Sequence, residues 1–152
     1  MKPENILLDG TGHCLISDLG LARIVPGLLE KEAKIQGRAG TSGYWAPEVL
    51  KGEEYGVESD WWSYGCTVFA LIEGHTPFSS KVSGMKDRDK ATLEWEIKLP
   101  KNKSDDGKLF GGGSGDFVKK LLIRSPACDR IRPGKPATSE SFLAVSLKSL
   151  RP

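Results

Sequence analysis

The chain has 152 residues and a mass of 16.6 kDa, enough for one compact domain and too few for two. Hydrophobic residues at 38% and charged residues at 28% exclude an intrinsically disordered chain. Lys plus Arg (22) nearly balances Asp plus Glu (20), and a net charge of +2 gives no electrostatic footing for nucleic acid.

Residues 6–8 and 13–17 are short apolar runs around Asp9-Gly10-Thr11-Gly12, a pattern that predicts a β-hairpin. Asp18-Leu19-Gly20 follows directly. Residues 21–44 show no sustained period, and Pro26-Gly27 and the glycines from 37 to 43 break the chain, so a long loop is expected. Within it Arg23, Lys31, Lys34 and Arg38 are offset by Glu30 and Glu32, which reads as a solvated charged stretch. Residues 46–50 predict a short helix, and residues 58–73 the clearest helix, with Ser59 as its cap and Asp60 in its first turn. Between Trp61 and Ile72 only Ser63 and Thr67 are plainly polar. That helix should therefore be buried as the axle of the domain, and its apolar stretch is too short to span a bilayer. Residues 87–96 and 117–123 predict two further helices, separated by a polar stretch and the tract Gly111-Gly112-Gly113-Ser114-Gly115, which reads as a flexible linker. The tail, residues 132–152, is rich in Ser, Pro and Lys and is left unassigned.

Cys14, Cys66 and Cys128 are far apart, odd in number and form no C-x-x-C pair, which argues against a zinc knuckle or a disulfide framework and fits a reducing, cytosolic compartment. His13 and His75 lack ligand partners at metal spacing, and the tryptophans read as packing residues.

The chemistry lies in a constellation. A hairpin returns the chain to its starting side, so Asn5 and Asp18 can face one point, where an amide oxygen and a carboxylate suit Mg²⁺ that shares its shell with phosphates. Lys2 adds a positive charge nearby, and the three together make half of a phosphoryl-transfer site.

With Gly40-Thr41-Ser42-Gly43-Tyr44-Trp45-Ala46-Pro47-Glu48 and Asp60-Trp61 added, the sequence resembles the protein kinases. Lys2-Pro3-Glu4-Asn5 is similar to the end of the catalytic loop, Asp18-Leu19-Gly20 to the metal-binding motif, and Ala46-Pro47-Glu48 to the end of the activation segment. Asp18-Leu19-Gly20-Leu21-Ala22 and Gly74-His75-Thr76-Pro77-Phe78 resemble the G-protein-coupled receptor kinases, serine/threonine kinases of the AGC group. The resemblance covers residues 1–131. It implies a mainly α fold with a small β-hairpin, the C-terminal lobe of a kinase-like fold, incomplete.

The resemblance also implies roles. Lys2 would touch the transferred phosphate, Asn5 and Asp18 would hold Mg²⁺, and Leu7 would lie under the adenine of ATP. Thr41 would bind the catalytic loop and select Ser/Thr substrates. Gly20 would shape the metal motif, Glu48 would pair with Arg130, and Asp60 would be buried and hold the catalytic-loop backbone. The implied partners are protein substrates with Ser or Thr, receptor tails among them, in a cytoplasmic setting peripheral to membranes at most. Counting back five residues from Asn5 to the family's catalytic aspartate passes Met1. The expectation is therefore a truncated large lobe, inactive alone, whose open face needs the small lobe or a partner protein. Two other readings stand beside an incomplete serine/threonine kinase: a catalytically dead, kinase-like interaction module, and an unrelated helical domain with coincidental motifs.

Overall fold

The computed structural model describes residues 1–23, 34–79, 84–99 and 114–125. Its elements run from a 3₁₀ turn (Pro3–Asn5) through β1 (Ile6–Leu8), β2 (Cys14–Ile16), α1 (Pro47–Lys51), α2 (Glu58–Glu73) and α3 (Met85–Glu94) to α4 (Ser114–Leu121). The expected mainly helical chain with one hairpin is what forms. Arg130, the tail and most of the glycine tract lie outside the described residues.

β1 and β2 pair antiparallel with Ile6 opposite Ile16, Leu7 opposite Leu15 and Leu8 opposite Cys14. Asp9 organises the turn. Its Oδ1 accepts from the Thr11 amide (2.8 Å), the Thr11 hydroxyl (2.7 Å) and the His13 amide (2.9 Å), while Gly12 takes a φ of +89°. The Thr11 hydroxyl, then the His13 and Thr11 amides, hold the Asp9 carboxyl at about 2, below its ordinary 3.8. A depressed folded pKa stabilises the turn fully above the ordinary value, and that contribution disappears as pH falls through about 2. The amide resonances of Thr11 and His13 are therefore expected to move together between pH 4 and pH 2, and Thr11→Val to raise the midpoint.

Helix α1 starts with Pro47 in its first turn after an extended Ala46, and stops at Gly52 in the left-handed region. Helix α2 spans the predicted residues and ends at Gly74, whose amide donates to the Ala70 carbonyl. Its cap differs from expectation. Val57 is the N-cap residue and makes no side-chain bond, and the Ser59 hydroxyl instead donates to the Gly56 carbonyl at 2.9 Å. Helix α3 begins two residues earlier than predicted, and α4 three residues earlier. Ser114 and Gly115 thus belong to α4 rather than to a linker, because the apolar stripe of Phe117, Val118 and Leu121 draws the preceding turn into the helix.

The core forms around α2. Trp62, Cys66, Phe69 and Phe78 are buried with Val118 and Leu122 of the α4 region. Trp62 stacks on Phe78 with ring centroids 6.0 Å apart and 7° between planes. The helix is not covered all round, since Leu71 is exposed and Trp61 only half-buried.

Gly65 lets α4 approach. A Cβ built there would lie 2.9 Å from both Leu121 Cβ and Leu122 Cδ2. Alanine gains helix propensity of up to about 1 kcal/mol over glycine, but overpacking a rigid contact costs about 1–3 kcal/mol. Gly65→Ala is therefore expected to lower stability, read as a fall in the urea midpoint, although the same change would stabilise an open helix face.

Candidate functional site

The hairpin brings its two ends together. Asn5 closes the 3₁₀ turn, its amide donating to the Lys2 carbonyl at 3.0 Å. The Asn5 carbonyl then accepts from the Ser17 amide (2.8 Å) and the Ser17 hydroxyl (3.1 Å). That clamp delivers the next residue, Asp18, to the Asn5 side chain, where Asn5 Nδ2 donates to Asp18 Oδ2 at 3.3 Å.

Asp18 has φ +58°, the only non-glycine residue with positive φ among the described residues. Asp and Asn are the side chains that tolerate this region best. Gly20 keeps the space beside it, since a Cβ at Gly20 would stand 3.3 Å from Asp18 Oδ1. The local backbone therefore aims a carboxylate at a set point rather than leaving it on a free turn.

The donor set is one carboxylate and one carboxamide, and no cluster of three His, Cys, Asp or Glu occurs among the described residues. Such a pair cannot form a closed cage for a resident metal. It fits Mg²⁺, which keeps much of its shell on water and phosphate oxygens. The Asn5 amide would have to turn over to present its oxygen in place of Nδ2.

Lys2 flanks the 3₁₀ turn in extended conformation and forms no ion pair among the described residues. Leu7 lies on the hairpin, 52% exposed. Thr41 is exposed on the turn before α1, with its carbonyl accepting from the Tyr44 amide at 3.2 Å and no side-chain bond to residues 2–5. Burial, with the Glu4 carboxylate adding to it, pushes the Tyr44 phenol up to about 12.

Glu48 is 1% exposed within α1. Its suggested partner Arg130 lies outside the described residues. Asp60 is solvent-exposed, not buried as the resemblance implies, and makes no side-chain hydrogen bond to residues 2–5. Neighbouring protein still displaces enough water to push its carboxyl up, with the Met1 ammonium pulling the other way. The structure thus brings Asn5 and Asp18 together, sets α2 against their turn, and leaves Thr41 apart.

Sequence reasoning missed the contacts that hold residues 34–45. Lys34 and Arg38 are exposed, as expected, but each also has a specific partner. Lys34 Nζ lies 2.5 Å from Glu58 Oε1, and the Arg38 guanidinium donates to the Leu50 carbonyl. Their partners are 24 and 12 residues away, beyond any local charge count.

Comparison with known proteins identifies the family. The chain is 39% identical to G protein-coupled receptor kinase 4 of Mus musculus over 128 residues, 84% of this chain and 21% of that protein. It is 46% identical to rhodopsin kinase grk7-b of Xenopus laevis over 129 residues, 83% of this chain and 22% of that one. The likeness to rhodopsin kinase grk7-b of Danio rerio is 41% over 153 residues, 99% and 26% respectively. The chain therefore spans about a fifth to a quarter of the length of the curated relatives it matches. The protein kinase domain model matches residues 1–133, a span that takes in every described residue, and the chain belongs to the protein kinase family.

Proposed function

We propose that this chain carries the metal-binding and substrate-docking part of a protein serine/threonine kinase, in the large lobe, which transfers the terminal phosphoryl group of ATP to Ser or Thr hydroxyls of protein substrates. The observation that carries the reading is the meeting of Asn5 and Asp18 at 3.3 Å, with Asp18 held in the left-handed region. Asn5 and Asp18 hold the metal, Gly20 leaves room for the Asp18 carboxylate, and Lys2 faces the transferred group. Mg²⁺, when bound, offsets the charge of the phosphates. Leu7 offers an apolar floor to the adenine. Thr41, on the docking turn, selects hydroxyl substrates. Glu48 with Arg130 and Asp60 with the catalytic turn are architectural. The names of the relatives point to receptors as substrates.

Alone, the 152-residue chain is expected to bind a magnesium nucleotide weakly and to transfer no phosphate, because its nucleotide floor is open. Leu7, Leu15 and the neighbouring Ile16 are all more than half exposed, and electrostatic stabilisation of phosphates needs a closed, water-poor site. The same exposed hairpin favours a second reading, a catalytically silent module that docks a protein through this surface. Calorimetric titration of the chain with ATP, with and without Mg²⁺, separates the two. Magnesium-dependent nucleotide binding supports the kinase site, and its absence favours the module. Measurable phosphate transfer would refute the inactivity of the isolated chain.

A further inference from the structure

The contacts of residues 34–38 form a series. Lys34 pairs with Glu58, Ile35 exchanges both backbone bonds with Tyr55 at 2.9 Å, Gln36 Nε2 donates to the Gly52 carbonyl at 3.0 Å, and Arg38 donates to the Leu50 carbonyl. As the segment advances, its partners step backwards through 58, 55, 52 and 50, so it lies antiparallel along the connection between α1 and α2. Gly37, at φ +109°, supplies the bend inside the series.

The last member of the series reaches into the docking turn. The Arg38 guanidinium carbon lies 5.9 Å from the Trp45 ring centroid, and Trp45 Nε1 donates to the Ala39 carbonyl at 2.9 Å. Gly40, beside the indole, takes φ +112°, a backbone conformation that a side chain would strain. Trp45 thus closes residues 39–45 into a loop, and Arg38 ties that loop to the end of α1. Two further bonds attach this turn to helices: the Ser63 hydroxyl of α2 donates to the Tyr44 carbonyl at 2.8 Å, and the Ser42 hydroxyl to Asp89 Oδ1 of α3 at 3.2 Å.

We propose that residues 34–38 are a clasp that sets the position of the docking turn, with Arg38 as its positioning residue. The clasp is held by polar contacts at the surface. Apart from the half-buried Ile35 its residues are exposed, and such segments open without the core unfolding. Opening the clasp frees Arg38 from the Leu50 carbonyl, removes the cation from the face of Trp45 and loosens the closure of the turn. Its consequence for substrate rests on the assignment of residues 39–45 as the peptide-docking turn, whereas the clasp itself does not.

The test is hydrogen exchange at the Trp45 indole N–H, followed by NMR on the full chain labelled at tryptophan. Arg38→Ala is expected to speed that exchange about five- to tenfold, the scale of one lost hydrogen bond. Gln36→Ala is expected to speed it in the same direction, although Gln36 reaches Gly52 and makes no contact with the turn. The Trp62 indole and the urea midpoint should not change in either variant. No acceleration with Gln36→Ala overturns the clasp, and acceleration that appears only with a fall in the urea midpoint reduces it to ordinary stability. Lys34→Ala, at the far end of the series, repeats the test if either variant misfolds. Asp18→Asn should leave the Trp45 exchange unchanged, so a failed nucleotide assay and a failed clasp are separate results.

Discussion

Trp62→Ala is expected to cost about 3–5 kcal/mol and to leave little of the folded chain. Trp62 is fully buried in the second turn of α2, and its ring stacks on Phe78. Phe78 in turn lies under Arg124, whose guanidinium carbon is 5.7 Å from the ring centroid and whose Nε donates to the Thr92 carbonyl of α3 at 2.9 Å. One indole therefore supports the contact between α2, the loop after it and the last turn of α3. A domain of this size holds on the order of 5–15 kcal/mol of stability, so losing this side chain removes about a fifth of it or more. Trp62→Phe keeps a ring on Phe78 and should cost less. Leu71→Ala, on the same helix but 39% exposed, should shift the urea midpoint little. Equal losses at Trp62 and Leu71 would mean that the core does not centre on the Trp62–Phe78 stack.

What could be read in the sequence followed from periodicity and punctuation. The α2 boundaries match because glycines flank a run of unbroken apolar character, and Gly74 can take the left-handed cap. The hairpin and the meeting of Asn5 with Asp18 match because a two-stranded ribbon has few ways to close. Ser59 was a misleading signal. A serine near a helix start reads as a cap, but here the helix begins one residue before it, so its hydroxyl faces back to Gly56. The exposure of Asp60 was not legible, since a motif gives a residue's place in a series and not the depth of its surroundings. Least legible was the clasp. Lys34 and Arg38 sit beside Glu30 and Glu32 in the sequence, and only the folded path of α1 and α2 supplies Glu58 and the Leu50 carbonyl. Contacts to backbone carbonyls leave no complementary residue type to look for.

Asp18→Asn is expected to weaken magnesium-dependent nucleotide binding at least about tenfold, the equivalent of about 1.4 kcal/mol. Asparagine keeps the shape of the side chain and tolerates φ +58°, so the hairpin should fold as before. What it removes is the only carboxylate of the pair, and a hard cation loses more from a missing anionic oxygen than from a rearranged neutral one. Asp18→Ala is a poorer probe, because alanine is strained at this backbone position and mixes a folding loss with a binding loss. Asn5→Asp makes the converse change. It places two carboxylates about 3 Å apart, where each disfavours ionisation of the other and one pKa rises. Nucleotide-free binding of Mg²⁺ by this variant should then strengthen as pH climbs through that raised pKa, while the parent chain binds the bare ion weakly at any pH. Binding of the magnesium nucleotide that is indifferent to both substitutions would remove the Asn5–Asp18 pair from the site and leave the exposed hairpin as a protein-docking surface.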